Sequence, residues 1–262
     1  MRELRMQQGG IAADERARER IGSTGMNPRA IIFDVDGTLA DTEEGHRQAY
    51  NRAFEEAGLP WHWDQALYAR LLAVTGGKER MRHFVADFWN SVAPTDLDDL
   101  IARLYRRKTE IYTAMVRAGG MPLRPGIAEL IARAHAAGIR LAVATTTAQE
   151  NVVALLTANL GHNGARLFGV LGCGDQVPHK KPAPDIYVWV LRQLGLGAAE
   201  CLALEDSELG LAAARAAGLR TFVTVNAYTR GQDFRGAEAV FEDLSDLNTF
   251  ARAAGLELPA SA

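Results

Sequence analysis

The chain has 262 residues and a formal net charge of −3, and 48% of its residues are hydrophobic while 23% are charged. This composition is typical of a soluble globular protein with one large or two modest domains. The small net charge excludes a general attraction to nucleic acid or to an anionic membrane. No apolar run reaches membrane-spanning length and no signal peptide is found, so the sequence predicts a cytoplasmic protein.

The first 27 residues differ in composition from the rest of the chain. Arg, Glu, Gln, Gly and Ala alternate there without an apolar face, and residues 22–25 resemble a linker. We interpret residues 1–27 as a disordered extension. The alternative is a short capping helix over residues 13–21.

The first predicted strand covers residues 30–33, a short apolar run of the kind that is buried on both faces of a parallel sheet. Between residues 42 and 119, apolar residues recur at helical spacing, which predicts four helices and no strand. These helices are expected at residues 43–57, 64–73, 79–89 and 97–118.

After residue 119, predicted strands and helices alternate. The strands are expected at residues 140–144, 168–173, 201–204, 221–225 and 239–241. The helices are expected at residues 127–137 and 184–194, with two more that end near residues 159 and 217. This alternation predicts an α/β protein with a doubly wound, Rossmann-like parallel sheet. Residues 28–41 and 120–262 would form the core domain, and residues 42–119 an inserted all-helical cap domain.

Two aspartates follow the first predicted strand, in the order Asp34-Val35-Asp36-Gly37-Thr38. Open α/β sheets bind ligands at the carboxyl ends of their strands. Asp34 can attack phosphorus and form an aspartyl-phosphate, while Asp36 can protonate the leaving oxygen and then deprotonate the attacking water. Because adjacent carboxylates repel each other, we expect a compensating cation, and oxygen ligands suit Mg²⁺. An Asp-x-Asp pair alone would be an ordinary turn.

This stretch resembles the first motif of the haloacid dehalogenase (HAD) superfamily of phosphohydrolases, and three later stretches match that family's other motifs in order. Thr145 follows the strand at 140–144, where its hydroxyl and the next backbone N–H groups can hold a phosphate oxygen. Lys181, in Lys-Pro-Ala-Pro-Asp, can direct its ammonium at the phosphate and at Asp34. The resemblance covers residues 30–250 approximately.

The fourth matching stretch supplies the predicted metal site. Glu205 and Asp206 follow the strand at 201–204. The resemblance implies that Mg²⁺ is held by Asp34, by the backbone carbonyl of Asp36 and by Asp206, with Glu205 bound directly or through a water.

The Lys-Pro-x-Pro-Asp form resembles the β-phosphoglucomutase and phosphoglycolate-phosphatase branch of this superfamily. Within that branch, three features are similar to the Calvin-cycle-associated CbbY-type xylulose-1,5-bisphosphate phosphatases. These features are Glu43-Glu44-Gly45-His46, Gly76-Gly77-Lys78-Glu79-Arg80 and Ala227-Tyr228-Thr229-Arg230. The resemblance implies that Lys78 and Arg80 hold the phosphate that does not react, and that Glu43 and His46 contact the sugar. Gly76, Gly77 and Thr146 complete the predicted substrate-binding set.

The sequence thus predicts a Mg²⁺-dependent sugar-phosphate phosphatase that forms an aspartyl-phosphate, with xylulose-1,5-bisphosphate as first candidate substrate. The alternatives within enzymes are a β-phosphoglucomutase and a phosphoglycolate-phosphatase-like activity. A phospho-receiver signalling module and a sugar-phosphate sensor are the alternatives outside catalysis. The expected partner is a small-molecule sugar phosphate, without nucleic acid or membrane, and the even charge favours a monomer.

Overall fold

The computed structural model describes residues 27–91 and 95–260, so the predicted extension lies outside the described residues except for Asn27. Six strands in the described part form one parallel sheet, with the spatial order β3-β2-β1-β4-β5-β6. The strands are β1 (Ala30–Phe33), β2 (Arg140–Ala144), β3 (Phe168–Gly172), β4 (Cys201–Glu205), β5 (Arg220–Thr224) and β6 (Ala239–Phe241). The order reverses next to β1, and ligands bind at such switch points.

Between residues 42 and 119, the described part of the chain forms helices joined by loops, and this helical segment has its own aromatic core. Its helices are α1 (Glu43–Glu56), α2 (Gln65–Leu71), α3 (Gly77–Asp87) and α4 (Leu97–Arg117). Tyr50, Phe54, Trp63 and Phe84 are buried together inside this segment, away from the sheet. Within the described ranges, no helix combines the length and the apolar character that crossing a membrane requires.

The remaining helices cover both faces of the sheet. They are α5 (Ile127–Ala136), α6 (Gln149–Leu160), α7 (Asp185–Leu194), α8 (Glu208–Ala216) and α9 (Leu247–Ala254). Alternate residues of β1 enter opposite cores: Ile31 and Phe33 pack with α5, α6 and α9, while Ala30 and Ile32 pack with α7 and α8. Because both faces of β1 are buried, it is apolar throughout, as a central parallel strand must be.

The predicted α/β architecture is confirmed, and most predicted elements agree with the structure to within two residues. The helix predicted from residue 79 begins at Gly77, directly after Gly76, whose φ of +88° ends the preceding loop. Helix α9 was not predicted, although Asp246 caps its start and Gly255 ends it. The separation into core and cap domains stays a prediction; the structure gives the bounds of the inserted helices.

The parallel register brings the predicted motifs to one edge of the sheet. Asp34 N–H donates to Leu204 O at 2.9 Å, directly beyond β1, and Thr145 N–H donates to Gly172 O at 2.9 Å, beyond β2. Gly37 then turns the chain with a φ of +85°, and a Cβ there would lie 2.1 Å from Asp206 Oδ2. Only glycine adopts that conformation at little cost, so the first motif requires it.

Arg124 holds the chain behind this edge. Its buried guanidinium donates to four backbone carbonyl oxygens: Gly37 at 2.6 Å, Thr224 at 3.0 Å, Val225 at 2.5 Å and Glu242 at 2.9 Å. One side chain therefore connects the turn after β1 to the end of β5 and to the loop after β6. A buried carbonyl that loses its donor costs free energy of unfolding, which makes Arg124 important for stability.

We therefore predict that Arg124→Met lowers the free energy of unfolding by about 2–4 kcal/mol, because several buried carbonyls lose their donor at once. Urea denaturation at neutral pH measures this loss. The matched control is Arg52→Met: Arg52 is 65% exposed and pairs with Glu56 on α1, so a change within about 0.5 kcal/mol is expected. Equal effects of the two substitutions would contradict this role for Arg124.

Candidate active site

A cavity of about 320 Å³ lies between the carboxyl edge of the sheet and the inserted helices. The sheet side contributes Asp34, Asp36, Thr146, Lys181 and Asp206, and the helical side contributes Glu43, His46, Tyr68 and Arg80. A smaller polar cavity of about 40 Å³ shares Asp36, His46, Arg80 and Thr146 with it and adds Gly76, Gly77 and Lys108. Ten of the predicted site residues are thus brought to these two connected spaces.

Asp34 and Lys181 form a buried ion pair at the floor of the cavity. Lys181 Nζ donates to Asp34 Oδ1 at 2.6 Å, and Thr38 Oγ1 donates to Asp34 Oδ2 at 3.2 Å. Burial raises the pKa of Asp34 to about 7, against the lowering effect of Lys181. Burial also disfavours the charged lysine, but Asp34 and Glu205 outweigh it and hold the pKa of Lys181 above its ordinary value. Lys181 is therefore a fixed positive charge beside Asp34.

Glu205 and Asp206 complete an acidic cluster with Asp34. Glu205 Oε1 accepts from Lys181 Nζ at 2.6 Å and from the Tyr187 hydroxyl. Asp206 Oδ2 accepts from Asn226 Nδ2 at 2.7 Å. Burial and the neighbouring carboxylates, Glu43 first among them, raise the pKa of Asp206 well above its ordinary value. A cation placed here would offset that repulsion.

The donor set fits a hard divalent cation. Asp34, Glu205 and Asp206 each offer a carboxylate oxygen, and these three atoms lie within 4.8 Å of one another. Oxygen donors of this kind suit Mg²⁺ or Ca²⁺ and not a softer metal. This cluster is where the described part of the chain could hold such a cation.

Asp36 is bound to the first inserted helix and not to the sheet. Its Oδ1 accepts from Thr42 Oγ1 at 2.7 Å and from His46 Nε2 at 2.8 Å. His46 Nδ1 lies 2.7 Å from Lys108 Nζ on α4, and the imidazole stacks on Tyr112. Burial and the Lys108 charge lower the pKa of His46 to about 4, so the ring is neutral, donates to Asp36 and accepts from Lys108.

The ionised form of Asp36 follows from these contacts. Burial alone would raise its pKa, but His46 and Thr42 hold it below the usual range. Burial lowers the pKa of Lys108 to about 7, with Asp36 opposing the shift. The acid–base candidate is thus held by groups that belong to the helical segment.

Glu43 and Arg80 face each other across the helical side of the cavity. Burial and the Asp36 charge raise the pKa of Glu43 to about 8. Arg80 Nη1 donates to the Tyr68 hydroxyl at 3.0 Å, and Arg80 Nε donates to Val74 O at 3.3 Å. These two bonds fix the guanidinium at the cavity wall and leave it able to bind an anion there.

Three predicted residues do not line either cavity: Glu205, which belongs to the acidic cluster bonded to Lys181, and Lys78 and Thr145, which lie elsewhere. Among the described residues that line either cavity, neither Lys78 nor Thr145 occurs. Lys78 Nζ lies 3.9 Å from Asp175 Oδ2 and 5.1 Å above the Tyr105 ring. Thr145 is buried, and its Oγ1 accepts from Thr147 N–H at 3.2 Å, which leaves Thr146 as the cavity-facing member of the pair. A direct contact of Lys78 or Thr145 with substrate stays a prediction.

Lys108 and Asn226 belong to the site but were not among the predicted residues. Asn226 follows β5, where a polar residue beyond a strand was a usable signal. Lys108 lies in the middle of α4 and offered no such signal, because only tertiary packing brings it to His46.

A family model for haloacid dehalogenase-like hydrolases matches residues 28–218. The chain belongs to this family. It is 50% identical to the protein CbbY of Rhodobacter capsulatus over 220 residues, which cover 84% of this chain and 95% of the relative. It is 30% identical to a phosphorylated carbohydrates phosphatase of Thermotoga maritima, over 80% of this chain and 92% of that one.

A solved structure of CbbY from Rhodobacter sphaeroides, a mutant in complex with xylulose-1,5-bisphosphate, is 48% identical with a TM-score of 0.80. That match covers 84% of this chain and 96% of the other. The predicted superfamily, its β-phosphoglucomutase-like subgroup and the similarity to CbbY are confirmed. This HAD-like hydrolase is a phosphatase, a phosphoric monoester hydrolase.

The buried carboxyl of Glu43 predicts a pH effect on stability in metal-free buffer. Because its pKa rises from 4.5 to about 8 on folding, the folded state keeps a proton that the unfolded state releases between those values. The free energy of unfolding therefore falls as pH rises from 5 to 8. In Glu43→Gln this fall should be smaller, leaving the variant more stable than wild type at pH 8 by on the order of 1–3 kcal/mol.

Urea denaturation at pH 5.5 and pH 8 with a chelator measures the difference. Glu44→Gln is the control, because a hydrogen bond from Arg47 lowers the pKa of Glu44 to about 2, outside the tested range. Glu44→Gln should leave the change of the free energy of unfolding with pH equal to that of wild type. A Glu43→Gln slope equal to that of wild type would show that Glu43 ionises normally.

Proposed function

We propose that this phosphatase is Mg²⁺-dependent and removes one phosphate from a ketopentose 1,5-bisphosphate, with xylulose-1,5-bisphosphate as the first candidate, through an aspartyl-phosphate at Asp34. Such a substrate would associate the enzyme with the Calvin cycle. The observation that carries the proposal is the buried carboxylate of Asp34 held 2.6 Å from the Lys181 ammonium on the floor of a sugar-sized cavity.

The first step is phosphoryl transfer to Asp34. A carboxylate oxygen of Asp34 attacks the phosphorus and the bond from phosphorus to the sugar oxygen breaks, while Asp36, which takes up a proton before this step, donates that proton to the leaving oxygen. Lys181 stabilises the negative charge that gathers on the transferring group, because it is fixed and shielded from water. The bound cation, when present, compensates the charge of the carboxylates and of the phosphoryl oxygens.

The second step is hydrolysis of the aspartyl-phosphate. Water attacks the phosphorus, Asp36 accepts the proton from that water, and the bond from phosphorus to Asp34 breaks to release phosphate. Against the effect of burial, His46 and Thr42 lower the pKa of Asp36 and favour its ionised form, which the second step requires; the proton gained in this step then serves the first step of the next turnover. Thr42 and His46 hold one of its oxygens, so the helical segment sets the direction in which this base acts.

Mg²⁺ is the ion that we propose for the acidic cluster. Asp34, Asp206 and the backbone carbonyl of Asp36 would hold it, with Glu205 acting directly or through a water. Both oxygens of Glu205 already have donors, Lys181 to one and Asp206 N–H at 3.3 Å to the other, which favours the water-mediated role. Mg²⁺ commonly keeps waters when it binds alongside a substrate phosphate.

The choice of a bisphosphate rests on two separated cations. Lys181 serves the phosphate that reacts, while Arg80 lies on the helical side of the cavity and can serve one that does not. Gly76 and Gly77 line the adjoining space, where the backbone leaves room. A remote phosphate bound in this way contributes binding energy to the closed, water-excluding geometry in which reaction occurs. The relative solved with xylulose-1,5-bisphosphate supports the same choice.

For the nucleophile, we predict that Asp34→Asn abolishes phosphate release while the circular dichroism spectrum stays that of wild type. Asp36→Asn should lower kcat by about 10² to 10⁴, the usual contribution of acid–base catalysis. Asp87→Asn, at a 59%-exposed carboxylate on α3, is the control and should leave kcat unchanged. Turnover by Asp34→Asn above a few per cent of wild type would eliminate Asp34 as nucleophile.

For the substrate, kcat/KM for a sugar bisphosphate should exceed that for the matching monophosphate. Arg80→Ala should remove most of this preference, since the remote phosphate loses its charge-assisted contact, and leave slow hydrolysis of p-nitrophenyl phosphate largely intact. Arg82→Ala is the control, because Arg82 lies on the same helix but pairs with Asp98.

A coupled assay of phosphate release decides between the outcomes. Equal rates for mono- and bisphosphates in the wild type would refute the bisphosphate assignment. Net isomerisation of a hexose 1-phosphate without phosphate release would establish the mutase alternative instead.

A further inference from the structure

The loop before α3 is bonded to the backbone of the catalytic lysine. Thr75 Oγ1 donates to the carbonyl oxygen of Lys181, whose ammonium bridges Asp34 and Glu205. Thr75 belongs to the helical segment, and Lys181 belongs to the loop that precedes α7. This contact therefore joins the inserted helices directly to the residue that balances charge at the nucleophile.

Four charged residues surround that contact. Lys180 Nζ lies 3.2 Å from Glu79 Oε2 and 3.8 Å from Asp175 Oδ1, and Lys78 Nζ lies 3.9 Å from Asp175 Oδ2. Lys78 and Glu79 come from the helical segment, whereas Asp175 and Lys180 come from loops beyond β3. The signs alternate, so each cation has an anionic neighbour on the opposite side of the boundary. We call these four residues the boundary network.

Lys180 is the central member of this network. Its side chain is only 14% exposed, although a lysine next to a catalytic lysine would ordinarily be a solvated surface residue. Partial burial reduces the screening of its ion pairs by water and salt. Gly76 keeps the approach close, since a Cβ there would lie 2.2 Å from Glu79 Oε2 and 2.8 Å from Lys180 Cδ.

Separation of the helical segment from the sheet edge would widen the path by which a substrate reaches Asp34. The side chain of Asp34 is 9% exposed beneath it, and a phosphate must touch that carboxylate for the reaction to begin. Gly119, with a φ of +80°, and Gly120 lie in the short connection from α4 back to the core. Contacts across the boundary are thus made when the site is closed and broken when it opens.

We propose that Lys180 and Glu79, supported by Lys78 and Asp175, form an ionic latch that closes the site and positions Lys181 through Thr75. Closure of the helical segment brings Glu79 to Lys180 and the Thr75 hydroxyl to the Lys181 carbonyl in one movement. Asp34 and Glu205 hold the ammonium of Lys181, and its backbone gains the further contact from Thr75 only while the site is shut. Lys180 is a positioning residue, since it acts through its neighbour.

The latch predicts that activity depends on the signs of the charges at positions 79 and 180. Glu79→Lys and Lys180→Glu should each lower kcat/KM for p-nitrophenyl phosphate by about five- to ten-fold, because a like charge replaces an attraction across the boundary. The double variant with both changes restores the attraction between positions 79 and 180, although position 180 then carries the same charge as Asp175, so its kcat/KM should rise clearly above that of either single variant. For the wild type, added KCl should lower kcat/KM, and the neutral pair Glu79→Gln with Lys180→Gln should lose that salt dependence.

The exchange of Arg82→Glu with Asp98→Arg is the matched control. That pair lies within the helical segment, at 2.9 Å and largely exposed, so neither its single variants nor its double variant should change kcat/KM beyond about two-fold. Thermal unfolding of every variant separates a latch from a general loss of stability. If Lys180 and Glu79 had only a structural role, the single variants would unfold at lower temperature and the double variant would not regain kcat/KM.

The assay needs phosphatase activity alone and does not depend on which sugar is the substrate. Failure of the charge exchange to raise kcat/KM above that of the single variants, with both of them folded and impaired, would overturn the latch and leave the proposed function intact. If a charge-reversal variant does not fold, the neutral variants provide the test. A dependence of kcat/KM on KCl in Lys180→Gln equal to that of wild type would equally refute the proposal.

Discussion

One buried ammonium between two buried carboxylates is the constraint on which the site depends. Lys181 lies 2.6 Å from both Asp34 and Glu205, at the edge where Asp206 adds a third carboxylate. Burial makes each uncompensated charge costly, so under the proposed function Lys181 and a divalent cation would together keep Asp34 ionised. The same compensation serves catalysis, because phosphoryl transfer brings further negative charge to this edge.

The inserted helices are part of the catalytic apparatus as well as a cover. They supply Thr42 and His46 to Asp36, and they supply Thr75 to the backbone of Lys181. The acid–base group and the charge-balancing group therefore both reach their positions through contacts with the same segment. Under the proposed mechanism, closure over a substrate would be coupled to assembly of the active geometry and would shield the proposed aspartyl-phosphate from solvent.

The sequence was sufficient for the fold and for the sheet side of the site. Asp34 and Asp206 each follow an apolar strand, and parallel strands place their carboxyl ends together, so strand order alone predicts that these residues converge. Thr145 also follows such a strand, but Thr146 is the residue that faces the cavity. The helical side was less predictable, because Lys78 and Arg80 lie in the first turn of the same helix, α3, yet contact different surroundings. Lys108 reaches the site through tertiary packing that helical periodicity does not encode.

The most direct test of the account is to trap the covalent intermediate. Wild-type enzyme turning over a sugar bisphosphate with Mg²⁺ is quenched in acid, reduced with borohydride and mapped by peptide mass spectrometry. The account predicts conversion of an aspartyl-phosphate to homoserine at position 34 during turnover, and none when a chelator replaces Mg²⁺. Turnover without modification of Asp34, or modification at Asp36 or Asp206 in its place, would contradict it.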